Sequence, residues 1–184
     1  MIAIGVVAVF ALVIVVIVWF LKRSYAKYAE LWGRLAPLVG GTSKGSKMTG
    51  TFEGRPLRAR VNSVGGGENS ETTYYFEVVL ESPPRGADWR ITYGGEKLFG
   101  FGEKRWHIST KDEGLKQRLE QAGVLVEVAH WGNYPQLEYK AKRGTLEYKA
   151  QVSGMFSIPD RPEFEAQLGL LSRLARINEQ VNGA

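Results

Sequence analysis

The chain has 184 residues, enough for one ordinary domain with a short appendage. It contains no Cys, which excludes a disulfide scaffold, a cysteine-based zinc or iron–sulfur site and a thiol nucleophile. A formal net charge of only +5 excludes a histone-like tail, and a hydrophobic fraction of 44% is too high for a chain disordered throughout.

From Ile2 to Leu21 there is no charged side chain. At roughly 1.5 Å per helical residue such a run matches a hydrocarbon core of about 30 Å, and in lipid a helix satisfies its own backbone groups. Trp19 and Phe20 close the run and Tyr25, Tyr28 and Trp32 follow it, as suits amphipathic rings at headgroup level. A cleaved signal peptide fits poorly, because a basic leader and a nearby A-x-A site are both missing. The expectation is an uncleaved transmembrane anchor over residues 1–21, in contact with the bilayer through residues 2–21.

Lys22, Arg23, Lys27 and Arg34 follow the run, opposed before residue 40 only by Glu30. Cytoplasmic flanks collect Lys and Arg, so the C-terminal domain is expected on the cytoplasmic side of an inner membrane, with these four cations touching lipid headgroups. The first sixty residues hold nine Lys and Arg against two Glu, a balance of +7 that leaves −2 for the rest. Basic charge is therefore a property of the anchor's surroundings, which argues against a nucleic-acid partner.

Tyr25, Tyr28, Leu31, Trp32 and Leu35 recur at helical spacing and predict an amphipathic helix running toward Pro37. Residues 40–47 are Gly, Ser, Thr and Lys only and read as a flexible linker, so 22–47 is assigned to a juxtamembrane helix and linker and 48–184 to the domain. From there the period changes to two. Leu57, Ala59 and Val61, then Phe76, Val78 and Leu80, then Trp89, Ile91 and Tyr93 alternate with largely polar neighbours, predicting half-buried antiparallel strands. A fourth strand is expected over Trp106 to Ser109.

Thr110-x-x-Glu113 reads as a capping box for a short helix carrying Leu115, Leu119 and Ala122, and Val124 to Trp131 reads as a strand. Leu-Glu-Tyr-Lys-Ala occurs at 137–141 and again at 146–150. Pairing the two copies across residues 142–145 sets Lys140 against Glu147, Glu138 against Lys149 and Tyr139 against Tyr148. Asp160-x-x-Glu163 caps a C-terminal helix with an apolar stripe from Phe164 to Val181. The predicted class is α+β: an N-terminal transmembrane helix followed by an antiparallel sheet with two helices packed on one face.

Reactive constellations are sparse. His107 and His130 are the two histidines, and the sequence has no H-x-H, H-x-x-x-H or H-E-x-x-H spacing, so no metal site and no cofactor is expected. The Gly-rich stretch 94–105 lacks both phosphate-loop patterns and leads into a strand rather than a helix, so Phe99, Phe101 and Arg105 are taken as candidate binding residues on a loop.

The order of an apolar N-terminus, Gly50-Thr51-Phe52-Glu53-Gly54-Arg55-Pro56 opening a sheet, the helix start at Ser109-Thr110-Lys111-Asp112 and a capped Leu-rich C-terminal helix resembles uncharacterised bacterial single-pass membrane-anchored proteins of unknown function. The resemblance implies an inner-membrane location and transfers no catalytic residue. The expectation is a non-enzymatic membrane-anchored binding or scaffold domain with a protein or lipid partner. The alternative is a membrane-anchored enzyme using His107 or His130 with a nearby carboxylate.

Overall fold

The computed structural model describes residues 2–65, 71–94, 104–131 and 134–180, with side chains from Leu12 onward. The elements are α1 (Ile2–Leu35), β1 (Thr42–Lys44), β2 (Lys47–Phe52), β3 (Arg55–Val64), β4 (Thr73–Glu81), β5 (Trp89–Gly94), β6 (Arg105–Thr110), α2 (Glu113–Gln121), α3 (Val124–Ala129), β7 (Gln136–Lys140), β8 (Thr145–Val152) and α4 (Arg161–Gln180). Among the described residues the strands form one eight-stranded sheet in the order β1-β2-β3-β4-β8-β7-β5-β6, antiparallel at every pairing. The chain is thus α+β.

Strand alternation builds the two faces. Leu57 pairs with Leu80, Leu80 with Leu146, Val61 with Phe76 and Phe76 with Ala150, so each register pair sends its apolar side chains to the same side. On that side they meet Leu115 and Leu119 of α2, Val124 and Val128 of α3, and Phe164, Leu168, Leu171 and Leu174 of α4. The opposite face is polar and laced with ion pairs: Arg60 lies 2.6 Å from Glu77, which Lys149 also approaches at 3.4 Å.

The expected pair of helices on the apolar face becomes four, because α3 and the C-terminal part of α1 join α2 and α4. Val124 to Trp131 is helical rather than extended over Val124–Ala129. Val124 and Val128 are buried four residues apart while Val126 is exposed, so packing at helical spacing overrides the β preference of three valines. The cap of α2 also shifts. Asp112, not Thr110, accepts from the Leu115 backbone N–H at 2.9 Å, and Thr110 Oγ1 accepts from the Asp112 backbone N–H. The C-terminal helix begins as the sequence predicts, with Asp160 Oδ1 accepting from Glu163 N–H at 2.9 Å.

The segment read as a juxtamembrane helix and linker belongs to the folded body. Tyr28, Trp32 and Leu35 fall on one face of α1 and are buried, Trp32 completely, with its ring 6.2 Å from that of Phe76. A 3₁₀ turn at Ala36–Val39 ends at Gly40, whose φ of 52° permits the left-handed stop. The chain then forms β1 and turns back into β2, pairing Thr42 with Thr49 and Lys44 with Lys47. Glycine here serves close approach rather than flexibility: a Cβ on Gly41 would lie 2.4 Å from the Thr49 carbonyl oxygen, and one on Gly50 would lie 2.5 Å from that of Val39.

The β7–β8 hairpin forms two residues out of the expected register. Leu137 pairs with Tyr148, Glu138 with Glu147, Tyr139 with Leu146 and Lys140 with Thr145. An even shift keeps every side chain on its predicted face. The loop closes on Gly144, which has φ 57°; the expected register would have put Thr145 at that position, where a β-branched residue is strained. Gly144 also abuts β4's end, where a Cβ would meet the Ser82 carbonyl oxygen at 2.3 Å.

Candidate functional site

Among the described residues the longest run of exposed large apolar side chains lies on α1. Helix α1 is continuous over 34 residues, about 51 Å at 1.5 Å per residue. Leu12 to Leu21 are apolar on every face, and the large side chains among them are between 45% and 66% exposed. Among the described residues no helix is long and apolar enough to cross a membrane. The described side chains of the apolar run begin at Leu12, so they cover about 15 Å of helix.

A basic and aromatic collar follows. Lys22 is exposed, the Arg23 guanidinium lies 5.3 Å from the centre of the Trp19 ring, and Lys27 Nζ lies 4.4 Å from the centre of Phe156, both within cation–π reach. Arg34 does not share this position. It sits about 18 Å beyond Lys22 and about 10 Å beyond Lys27 along the helix and is paired with Glu30 at 2.6 Å.

The β1–β2 hairpin turns at Gly45, φ 57°, and folds against α1 so closely that a Cβ on Gly45 would lie 3.0 Å from Tyr25 Cε1. Lys47, paired with Arg60, and Lys44, paired with Lys47, send their side chains to the polar face of the sheet, and the hairpin itself borders a cleft of about 510 Å³ between α1, the end of β3 and the start of β4. Leu21, Ser24, Tyr25, Ser63 and Tyr74 also line it. Among the described residues no carboxylate lines the cleft, and neither lysine has an ion-pair partner. Tyr28 sits at its edge and donates to the Met155 carbonyl at 2.6 Å; burial, then the neighbouring Tyr74, pushes its phenol above the ordinary range, so it remains a neutral donor. The sequence signal for this site was the Gly-Ser turn between Lys44 and Lys47, which reads as linker until the two short strands are paired.

The other candidates lie elsewhere. Phe99 and Phe101 fall outside the described residues. Arg105 opens β6, exposed and opposite Gly94, beside an aromatic group in which Tyr93 stacks on Tyr134 at 4.5 Å and contacts Trp106 at 5.5 Å. His130 is exposed, and its Nδ1 donates to the Val126 carbonyl at 2.7 Å, closing the last turn of α3. His107 lies on the polar face of the sheet and lines a depression of about 310 Å³ with Asp88, Arg90, Thr92, Ser109 and Glu138. Its Nε2 shares a hydrogen bond with Thr92 Oγ1 at 3.1 Å, and its Nδ1 is buried without a hydrogen-bond partner. Among the described residues no three His, Asp or Glu side chains converge as metal ligands.

Comparison with protein-family models, with curated proteins and with solved structures gives no match.

Proposed function

We propose that the chain is a membrane-anchored, non-enzymatic binding domain, held at a bacterial inner membrane by the apolar run of α1, with its sheet-and-helix body on the cytoplasmic side. The observation that carries the reading is the contrast within one helix: Leu12 to Leu21 leave large apolar side chains exposed on all sides, whereas Tyr28, Trp32 and Leu35 are packed in the core. Contiguous exposed apolar surface of this kind demands a partner, and the sequence continues it without charge back to Ile2. The collar of Lys22, Arg23 and Lys27 suits anionic headgroups and the charge rule for a cytoplasmic body.

Fractionation tests the anchor. The full chain is expected in the membrane pellet after a carbonate wash and in solution only with detergent, while a chain lacking residues 2–21 is expected in the aqueous fraction. Recovery of the full chain in the aqueous fraction without detergent would overturn the proposal. Ser109→Cys, the single thiol in a chain with no Cys, reports the side: protection from an impermeant reagent in intact cells is expected, and labelling there would reverse the topology.

A second reading, an enzyme built on His107, is favoured by one observation. The imidazole lines a depression together with Glu138, Asp88 and Ser109, the residue types a hydrolytic site uses. Its test is a hydrolase substrate panel against the full chain and His107→Ala; turnover lost in the variant would establish it, and no turnover by the parent would reject it.

A further inference from the structure

We propose that the cavity between the first two turns of α4 and the end of β8 binds a small neutral molecule through its primary carboxamide, with Tyr148 and Gln167 as the recognition pair. The inference rests on the reading of the chain as a binding domain, for which it supplies a ligand class, and does not depend on the anchor.

The cavity, of about 220 Å³, is smaller than a drug-sized site, and Phe76, Tyr148, Ala150, Glu163 and Gln167 are in its lining. The register puts its strand side chains on the side that α4 covers: Tyr148 pairs with the fully buried Val78, and Ala150 pairs with Phe76. Glu163 and Gln167 stand one turn apart on α4. Gln167 Nε2 donates to Tyr148 Oη at 3.2 Å and to Glu163 Oε1 at 3.3 Å, so the amide lies at the wall between two lining groups.

Two buried polar groups are left to answer. Gln167 is 2% exposed, and its Oε1 is buried with no hydrogen-bond partner among the described residues. A buried amide oxygen in that state calls for a donor. Tyr148 is as deeply buried, its oxygen accepts from Gln167, and its own O–H reaches no acceptor among the described residues. Burial, then the charge of Glu163, pushes this phenol well above the ordinary range, so it stays a donor.

The wall thus offers one acceptor and one donor. A primary carboxamide carries the matching pair: one N–H for Gln167 Oε1, a carbonyl oxygen for the Tyr148 O–H, and a second N–H for the Glu163 carboxylate. An ammonium group has no acceptor for the tyrosine hydrogen. An anion would meet Glu163, with Asp160 close enough to raise its carboxyl, and among the described residues no Lys or Arg lines the cavity. The Ser153 and Ser157 hydroxyls bond to each other at 2.8 Å, and Phe76 and Ala150 supply an apolar wall for the group that bears the amide.

Binding of benzamide to the full chain in detergent micelles, read by ligand-observed NMR against empty micelles, provides the test. Benzamide is expected to bind. N,N-dimethylbenzamide keeps the ring and has no N–H, and should bind about tenfold more weakly, the effect of an unmet buried hydrogen bond. Tyr148→Phe, which keeps the ring in place, and Gln167→Met should each weaken benzamide by a similar factor with cooperative melting retained. Tyr75→Phe, which removes a phenol stacked under Lys149 on the opposite face of the sheet, should leave it unchanged.

Equal binding of benzamide and its dimethyl analogue, equal binding by the parent and Tyr148→Phe, or no binding by the parent would overturn the site. Benzylamine held more tightly than benzamide would make this a cation site and overturn the ligand class. Absence of benzamide binding in a chain that stays in the membrane pellet sinks this inference alone; benzamide bound by a chain recovered in the aqueous fraction sinks the anchor alone.

Discussion

Glu138 and Glu147 face each other directly across the β7–β8 hairpin, and Lys140 holds both, its Nζ 2.7 Å from Glu147 and 3.3 Å from Glu138. Directly opposed like charges destabilise a sheet; an ammonium between them reverses the sign. Arg90 reaches Glu138 from β5 at 2.6 Å. Burial pushes the Glu138 carboxyl up, and the hydrogen bond from Arg90 with the charge of Lys140 outweighs it, leaving the group below the ordinary carboxylate range. The hydrogen bond to Glu147 raises Lys140 above the usual lysine range against its partial burial.

Lys140→Met should therefore destabilise the fold by about 1 kcal/mol, a modest figure because these side chains are roughly a third exposed and solvent screens them. The midpoint of urea unfolding measures it. Lys140→Arg should recover most of the loss.

Acid should weaken the parent more than this variant. A carboxyl lowered in the folded state contributes stability that is present above its unfolded pKa and is lost as pH falls through the folded value. Lys140, raised in the folded state, contributes below its unfolded pKa and loses that contribution as pH rises through the folded value. Urea titrations across pH should show both declines in the parent and smaller ones in Lys140→Met; equal slopes in the two proteins would contradict the pairing.

The body should begin well before residue 48. A chain starting at Lys22 is expected to fold, since it keeps Tyr28, Trp32, Leu35 and Val39. A chain starting at Met48 loses all four and should lack a cooperative melt. In the full chain Trp32→Ala should cost about 3–5 kcal/mol, the usual range for deleting a large buried aromatic. Circular dichroism on heating separates the cases.

Gly50→Ala should destabilise by roughly 1–3 kcal/mol, because the new methyl lies 2.5 Å from the Val39 carbonyl oxygen and 2.7 Å from its side chain, and relief requires a backbone shift. Gly54→Ala is the contrast: its φ of 76° strains an alanine, but a Cβ there meets nothing within 4 Å. A loss at Gly50 from crowding should be partly recovered by Val39→Ala, and the loss at Gly54 should not.

Trp89 Nε1 donates to Asn178 Oδ1 at 2.7 Å, joining β5 to the last turn of α4 with both residues buried. Asn178→Leu removes the acceptor and leaves the indole N–H in an apolar setting, which should cost about 1–3 kcal/mol. A shift in Trp emission with the lower melting temperature would tie the loss to this contact.

The half-buried strands were legible because each has one apolar and one polar face, and period two is hard to mistake; β3, β4, β5 and β6 lie where Leu57, Phe76, Trp89 and Trp106 predict them. The Asp160 cap was legible because its signal is local. What escaped depended on partners distant in sequence. Val124, Val126 and Val128 look like a strand until Val124 and Val128 find the core and Val126 does not. Gly41 looks like linker until Thr49 presses against it. The cleft escaped for the same reason: Gly45 looks like linker until the hairpin docks on Tyr25 and leaves a concave surface beside α1.

One helix supplies both the bare oily stretch at Leu12 and the fully packed indole at Trp32, with no proline and no break between them. Such a joint has no swivel. A tilt imposed on the amino-terminal end is delivered through a stiff rod to the centre of the body, so the heading of the sheet is set by the same element that carries it.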